Sequence, residues 1–376
     1  MTDKIYNIPA GCAFAEVLAG HFLREYHGRE LELTDVLFLL PNRRAVKALK
    51  DAFVRLQGLA PTLLPQMLPI GDVEEDELFL TGFDQSSALA TLAPAISRAE
   101  RLLLFTKIIM AKPIEYGIEK LAANQACYLA QELANLIDTV HNQGLSFDRL
   151  TDLVPEEYAV HWQETLKFLQ IITEYWPQIL AERQLIDASD RRNRLLRAQI
   201  DLWRQNPPVK RIVAAGTTAA FPLMKELVKT VLSLEKGELY LAGIDKFLED
   251  EAWEKIDETH PQHELKELLD YLTVRREDIP DLQAPENFGR EVLISEVMRP
   301  AATTEKWRDI AGKKIRHEAA DGITLVNCAD MREEALIIAL LLREAVETPE
   351  KTAALVTGDR NLARRVAAEL ERWNLK

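Results

Sequence analysis

The residues closest to a known chemical motif follow the first predicted strand, in the run Pro9-Ala10-Gly11-Cys12-Ala13-Phe14-Ala15. A phosphate-binding loop of the form G-x-x-x-x-G-K-[ST] supplies glycine amides for the phosphates, a lysine for the β- and γ-phosphates and a hydroxyl for Mg²⁺. When Gly11 is aligned with the middle glycine of a G-P-A-G-S-G-K-T loop, Ile8 and Ala13 replace the motif glycines, Phe14 the lysine and Ala15 the hydroxyl residue. The pattern predicts a vestigial nucleotide loop that does not hold ATP, formed by Pro9, Ala10, Gly11, Phe14 and Ala15. The alternative is an ordinary strand-to-helix connection.

A second ATPase component is missing further along the chain. The apolar run 211–215 predicts a buried strand, and Gly216-Thr217-Thr218 follows it. An active motor carries an Asp-Glu pair at this strand end to hold Mg²⁺ and position water. No carboxylate stands there, and the nearest are Glu226 and Asp245. Thr217 and Thr218 either donate hydrogen bonds to phosphate or cap the next helix.

A basic turn, Pro41-Asn42-Arg43-Arg44, follows the predicted buried strand 36–40. Open α/β sheets place ligand-binding loops at the carboxyl ends of their strands. Cations at a helix start oppose the helix dipole, so Arg43 and Arg44 indicate a role in holding phosphate together with free helix amides. The alternatives are a solvated arginine pair and an Asn42 that serves only as the N-cap.

The strongest basic cluster in the sequence lies between residues 187 and 211, with seven Lys or Arg against three Asp. Its first helical turns contain Arg191, Arg192 and Arg194. This cluster is a candidate for outer contacts with DNA or with an acidic partner surface. Alternatively, its arginines pair internally with Asp187 and Asp190, since charged helix faces are usually only solvated.

No pattern predicts a metal site in this chain. The acidic run 72–77 does not match the D-x-[DN]-x-[DN]-G spacing of a calcium loop, and His161, His260 and His263 lack metal-ligand spacing. The three cysteines are far apart, which argues against a disulfide framework and favours a reducing cytoplasm.

The periodicity predicts an α/β fold interrupted by a helical subdomain. Strands and helices alternate over residues 1–95, helical patterns occupy 96–206, and alternation returns over 207–299. A second α/β domain is predicted to begin at 300 and to continue to 376, with strands at 322–328 and 352–357 and helices at 330–347 and 359–373. Because the last helix ends where another strand would follow, we expect a fragment of a longer polypeptide.

Composition limits the classes of function. The 376 residues include 47% hydrophobic and 28% charged residues, as in an ordinary globular protein. A formal charge of −14 argues against a free-standing, non-specific DNA-binding protein, although a local basic groove remains compatible with it. Neither a signal peptide nor a membrane-length apolar run is present, so we expect no membrane association and a cytoplasmic location.

Several of these segments, in this order and spacing, resemble the AddB family. AddB is the second subunit of the bacterial AddAB helicase–nuclease, and the similarity is greatest to its alphaproteobacterial type. The segments are IPAG…F, DVLFLLPNRRAVKALKDAF, LLPQMLPIGDVEEDEL, HWQETLKFLQIITEYWP, DASDRRNRLL, AAGTTAAFP and TLVNCADMREEALIIALLLREA. The resemblance covers nearly the whole chain but only the N-terminal part of the family's architecture.

The resemblance implies a degenerate superfamily 1 helicase-like (P-loop NTPase-like) core that works beside an AddA-like motor subunit on single- and double-stranded DNA at double-strand breaks. It also implies a nuclease domain with an iron–sulfur cluster and Mg²⁺ after residue 376, and no cofactor in this chain. We therefore expect a non-catalytic part that guides single-stranded DNA. The alternatives are a purely structural docking module, whose acidic surface meets a basic partner, and a nucleotide hydrolase with an unconventional site.

Overall fold

The computed structural model describes residues 2–58, 63–70, 92–111, 121–147, 168–310 and 317–375. Its strands are β1 (Ile5–Ile8), β2 (Val36–Leu40), β3 (Gln66–Pro69), β4 (Arg211–Ala215) and β5 (Gly237–Ala242). Its helices are α1 (Phe14–Glu25), α2 (Arg43–Gln57), α3 (Arg98–Ala111), α4 (Ala123–Asn142), α5 (Trp176–Arg183), α6 (Ala188–Gln205), α7 (Pro222–Ser233), α8 (Asp250–Glu254), α9 (His263–Leu272), α10 (Phe288–Val297), α11 (Trp307–Ile310), α12 (Met331–Glu347) and α13 (Arg360–Glu371). These elements form two compact units, Met1–Ala319 and Ala320–Lys376.

The first unit is built on a five-stranded sheet in the order β1-β5-β4-β2-β3, and every neighbouring pair of strands is parallel. The architecture is therefore α/β, as predicted, and is compatible with a Rossmann-like or P-loop-like core. Strands of parallel sheets are covered by helices on both faces and are apolar throughout. All residues of β2 and β4 are accordingly buried.

Alternate residues of β2 point into two separate hydrophobic cores. Leu37 and Leu39 pack on one face with Trp203 of α6 and residues of α7 and α9. Phe38 and Leu40 pack on the other face with Phe22 of α1 and residues of α2. The helices on both faces therefore fix the positions of the loops that join them to the sheet.

Strand β3 was not predicted from the sequence, because Pro61, Pro65 and Pro69 make residues 61–69 rich in proline. Gln66–Pro69 pairs with Leu37–Leu40 at the end of the sheet. Proline lacks a backbone donor and is tolerated in an edge strand, which has only one neighbour to bond. The proline content therefore concealed a short edge strand.

A buried ionic network fastens α1 to the amino-terminal ends of β4 and β5. The Arg211 guanidinium donates to Glu25 Oε1 at 2.6 Å and to Glu238 Oε2 at 2.7 Å, and it lies 4.7 Å from the centre of the Phe22 ring. The Tyr240 hydroxyl donates to Glu238 Oε2 at 2.9 Å, and burial raises the pKa of Tyr240 above its ordinary value. This network lies at the edge of the sheet opposite the predicted ligand-binding loops.

The predicted helical region contains α3, α4, α5 and α6. Phe105 and Trp176 are the centre of its core, with ring centroids 4.3 Å apart. The buried carboxylate of Asp187 accepts from Trp176 Nε1 at 2.7 Å and lies 3.1 Å from Arg101 Nε. Burial raises the pKa of Asp187, although Arg101 opposes the shift. Residues 112–120 and 148–167 of the predicted helical region 96–206 lie outside the described residues.

In the second unit the helices agree with the prediction but the strands do not. Helices α12 and α13 pack through four buried residues, Ala335, Ala339, Leu362 and Val366, and Asp330 and Asp359 accept backbone hydrogen bonds as their N-caps. Segments 322–328 and 352–357 were predicted as strands, the second one buried. They belong to no described ladder, and Leu325 and Val356 are 85% and 93% exposed. The prediction was wrong because a strand requires a paired neighbour, which apolar sequence alone does not supply.

Candidate functional site at the carboxyl edge of the sheet

All strands of the sheet end at one edge, because all are parallel. The loop after β1, the turn after β2 and the turn after β4 therefore share this edge, where open α/β sheets bind ligands. Strand β4 is adjacent to β2, so the turns at Pro41–Arg44 and Gly216–Thr218 follow neighbouring strands. The sequence-predicted residues of these segments are thus brought to one side of the molecule.

Phe14 covers the turn that follows β4. Gly216 has a φ of +66°, and a Cβ built on it would lie 3.2 Å from Cε1 of the Phe14 ring. The residue at the aligned lysine position therefore packs against the strand end at which an ATPase needs carboxylates. The Phe14 ring lies against the residue that follows β4. This ring offers neither a charge for phosphate nor a ligand for Mg²⁺.

Glu291 of α10 binds the loop itself. The backbone N–H of Gly11 donates to Glu291 Oε1 at 2.7 Å. A Cβ at Gly11 would lie 3.0 Å from the same oxygen, so the carboxylate lies against the glycine backbone. In a functional phosphate loop such amides face the phosphates. Here the acceptor is an anionic side chain of the same unit, whose charge also repels an incoming phosphate.

Asn7 holds the neighbouring segment 280–282 against β1. Its backbone N–H donates to Pro280 O at 2.9 Å, and its carbonyl accepts from Leu282 N at 2.7 Å. Its side chain donates to Asp281 Oδ1 at 2.7 Å and accepts from Ile244 N at 3.0 Å. Sequence reasoning missed this residue, although a polar side chain inside an apolar strand is a detectable signal. Glu291, by contrast, has no local sequence signal.

Cys12 lies under the same segment and is not a candidate nucleophile. Its thiol is buried and donates to Ala284 O at 3.7 Å. Burial raises the pKa of Cys12 above its ordinary value, which keeps the sulfur protonated near neutral pH. The residue therefore contributes packing to the loop.

The turn after β2 presents its two arginines at the surface. Asn42 is extended, and its Oδ1 accepts from Ala45 N at 2.9 Å, so it is the N-cap of α2, one of the interpretations left open by the sequence. Arg43 and Arg44 are exposed, and the first turn of α2 has no acidic residue. Among the described residues Arg44 makes no ion pair or hydrogen bond. The turn thus combines exposed cations with a helix amino terminus.

The two threonines after β4 are engaged within the chain. Thr217 is only 6% exposed, and its hydroxyl accepts from Ala219 N at 3.1 Å. The Thr218 hydroxyl donates to Glu264 Oε2 at the start of α9. Helix α7 begins after Phe221 without a side-chain cap, so the helix-capping alternative was wrong. Residues 219–221 lie between the threonines and the first residue of α7, so neither hydroxyl caps this helix.

The basic cluster on α6 is also used internally. Arg191 is 7% exposed and its Nε donates to Ala93 O at 2.9 Å, while the Arg192 guanidinium donates to Asn142 Oδ1. Arg194 donates to both carboxylate oxygens of Asp190, at 3.0 and 2.8 Å. The Arg194–Asp190 contact matches the internal-pairing alternative, whereas the Asp187 carboxylate contacts Trp176 and Arg101. The outer DNA contacts assigned to Arg191, Arg192 and Arg194 remain predictions, and the burial of Arg191 disfavours its part in them.

A metal centre is not found in the part of the chain that the structure describes, where no three His, Cys, Asp or Glu side chains lie close enough to hold an ion. The acidic run 72–77 and His161 lie outside the described residues. No described helix combines the length and apolar character required to cross a bilayer. Comparison with models of known protein families gives no match for this chain, and comparison with curated protein sequences gives none either.

Proposed function

We propose that this chain is the non-catalytic, helicase-like region of an AddB-type subunit, which guides single-stranded DNA beside an AddA-like motor during double-strand-break repair. The observation that carries the proposal is the packing of Phe14 over Gly216. It fills with an aromatic ring the region in which a nucleotide-driven motor needs a lysine and a carboxylate pair. The parallel sheet, whose loops lie together at its carboxyl edge, supports the proposal of a helicase-like fold without ATP hydrolysis.

The DNA contact in this proposal is the turn Asn42-Arg43-Arg44. Guanidinium groups and helix amides bind phosphate without reading bases, so the contact holds the strand irrespective of its sequence. Thr217 and Thr218 are not retained as primary contacts, because their hydroxyls already bond within the chain. The same holds for Arg191, Arg192 and Arg194 of α6. ATP turnover would come from the AddA-like partner.

The test is the double substitution Arg43→Ala and Arg44→Ala in the full chain. We expect the affinity for a labelled single-stranded oligonucleotide to fall about tenfold or more, since about 1.4 kcal/mol of charge-assisted contact is lost. Arg24→Ala with Arg197→Ala is the matched control, because both residues are exposed and their side chains make no hydrogen bond or ion pair with a described residue. The same variants, reconstituted with the AddA-like subunit, should show slower resection only for the Arg43/Arg44 pair.

A second candidate is a partner-docking module without DNA contact, and α10 favours it. This helix buries polar Ser295 and Glu296 while it exposes Ile294, Val297 and Met298. Exposed apolar helix faces commonly mark protein interfaces. Unchanged DNA affinity and unchanged resection in the Arg43/Arg44 variant would select this candidate and reject the DNA-guiding function.

A further inference from the structure

Helix α2 carries a row of basic side chains on its solvent face. Arg43, Lys47 and Lys50 recur at spacings of four and three residues, which places them on one side of a helix. Lys47 and Lys50 are exposed, and neither makes an ion pair or hydrogen bond with any residue that the structure describes. Helix α2 also buries Leu49 and Phe53 in the core beneath the sheet, so the row is held on a rigid element.

Several basic residues in the described part of the chain pair with carboxylates, which Lys47 and Lys50 do not. The sequence contains 60 acidic and 46 basic residues, so carboxylates are abundant. Arg194 pairs with Asp190, and Lys225 pairs with Glu267 at 2.7 Å. Arg194 and Lys225 are thus neutralised by carboxylates, whereas Lys47 and Lys50 face solvent without a described ion pair.

The geometry of the row suits a nucleic-acid backbone. At 1.5 Å of rise per residue, Arg43 and Lys50 are separated by about 10 Å along the helix axis. One strand of a B-form duplex carries a phosphate about every 3.4 Å of helix axis, and an extended single strand spaces its phosphates more widely. The row therefore spans no more than about three phosphates of a single strand. The row begins at the carboxyl edge of the sheet, next to the turn formed by Asn42 and Arg44. A strand held at that turn would meet Lys47 and Lys50 next.

On these grounds, and resting on the proposed function, we propose that α2 is a phosphate-binding rail. Lys47 and Lys50 contact successive phosphates of the single strand whose backbone is held by Arg43 and Arg44. Lysine binds phosphate as a point charge, so the rail carries no base specificity. Asp51, the acidic residue of α2, flanks the row and weakens it.

The experiment measures binding of the full chain to a fluorescent oligothymidylate of about 20 nucleotides over a series of salt concentrations. Each phosphate contact contributes about −0.7 to the slope of log K against log salt for single strands, so Lys47→Gln with Lys50→Gln should reduce the slope by about 1.4. Lys236→Gln with Lys255→Gln is the control, and it should leave the slope unchanged. Asp51→Asn should raise the affinity about twofold, which a misfolded variant would not do.

The outcomes separate the rail from the function on which it rests. An unchanged slope for the lysine pair, with loss of affinity in the Arg43/Arg44 variant, overturns the rail and leaves the proposed function standing. Loss in neither variant, or no binding by the wild-type chain, overturns both. A reduced slope for Lys47→Gln with Lys50→Gln that is restored by arginine at the same positions, together with the Arg43/Arg44 loss, supports the rail.

Discussion

Phe14 and Glu291 act on the same loop from two sides. Phe14 occupies the aligned lysine position and packs on Gly216, while Glu291 accepts the N–H of Gly11. One contact removes the charge that attracts phosphate, and the other adds a charge that repels it. The loop after β1 therefore disfavours phosphate through Phe14 and through Glu291 of the surrounding structure.

Restoring the motif side chains alone should consequently fail. We expect the double substitution Phe14→Lys and Ala15→Thr to give no saturable ATP binding in the presence of Mg²⁺, because the Gly11 amide remains bound to Glu291 and no carboxylate follows β4. Isothermal titration calorimetry measures this directly, with circular dichroism as the check on folding. Saturable binding by the wild-type chain would instead revive the alternative of a nucleotide hydrolase.

Glu291 should contribute to stability as well. We expect Glu291→Ala to lower the free energy of unfolding by about 1 kcal/mol, since a charge-assisted hydrogen bond between α10 and the loop is lost at a partly exposed position. Glu291→Gln keeps an acceptor oxygen and should lose less. Glu305→Ala, at an exposed position without a described partner, is the control in urea unfolding and should be neutral.

His21 predicts a pH dependence. It lies among aromatic rings, 6.0 Å from the centre of the Tyr240 ring, and burial lowers its pKa below the ordinary 6.5. The unfolded chain therefore binds a proton more readily than the folded chain, so the stability contributed by neutral His21 is present above about pH 6.5 and is lost as the pH falls. We expect the stability difference between wild type and His21→Gln to narrow from about pH 7.5 to about pH 5.5 in urea titrations. A constant difference would contradict this assignment.

At the scale of elements, the short turn between α7 and β5 depends on one glycine. A Cβ at Gly237 would lie 1.7 Å from the carbonyl oxygen of Val231. The end of α7 and the start of β5 can therefore come this close only because residue 237 has no side chain. The close approach brings β5 into register with β1 and β4 at the centre of the sheet. It therefore helps to position the loop that carries Gly243, beside Ala10.

Substitution of this glycine provides an element-scale test. We expect Gly237→Ala to destabilise the first unit by about 2 kcal/mol or more, because the turn must shift to relieve the overlap with Val231. Gly358→Ala is the matched control, since nothing lies within 4 Å of its added Cβ. Chemical denaturation of the two variants gives the comparison, and equal stabilities would refute the close approach.

At the scale of the whole molecule, the two compact units differ in their buried cores. The first has extensive clusters on both faces of its sheet. The core between α12 and α13 contains four fully buried residues, of which two are alanine. Because apolar burial supplies most of the favourable free energy of folding, the second unit has less to oppose its conformational entropy.

Hydrogen exchange should report this difference. We expect amides of α12 and α13 to exchange at lower denaturant concentration than those of β2 and β4, which should exchange only on global unfolding of the first unit. Exchange measured peptide by peptide with mass spectrometry resolves the two units. Equal protection throughout would show that the small core does not limit the stability of residues 320–376.

Much of the local structure was predictable from sequence. Helices α12 and α13 and strands β2 and β4 lie where the sequence pattern placed them, because periodicity and capping signals act over a few neighbouring residues. The absence of a lysine at Phe14 and of a carboxylate after Ala215 was likewise a property of the sequence. The strands predicted at 322–328 and 352–357 are not formed in the described part of the chain, since a strand must pair with a neighbouring strand.

Only the tertiary structure decided how each charge is compensated. The α6 arginines were the strongest basic cluster in the sequence, yet Arg191 bonds to Ala93, far away in the chain, and Arg194 bonds to Asp190. No sequence pattern marked Lys47 and Lys50 of α2 as candidate site residues. Both side chains face solvent without a described partner. Local propensity follows from residues within a few positions, whereas the neutralisation of a charge depends on which distant groups the packed helices bring within hydrogen-bond distance. The sequence by itself thus determined that Phe14 and Ala15 stand where a phosphate-binding loop has its lysine and hydroxyl residue, and the fold determined that Lys47 and Lys50 face solvent without a described partner.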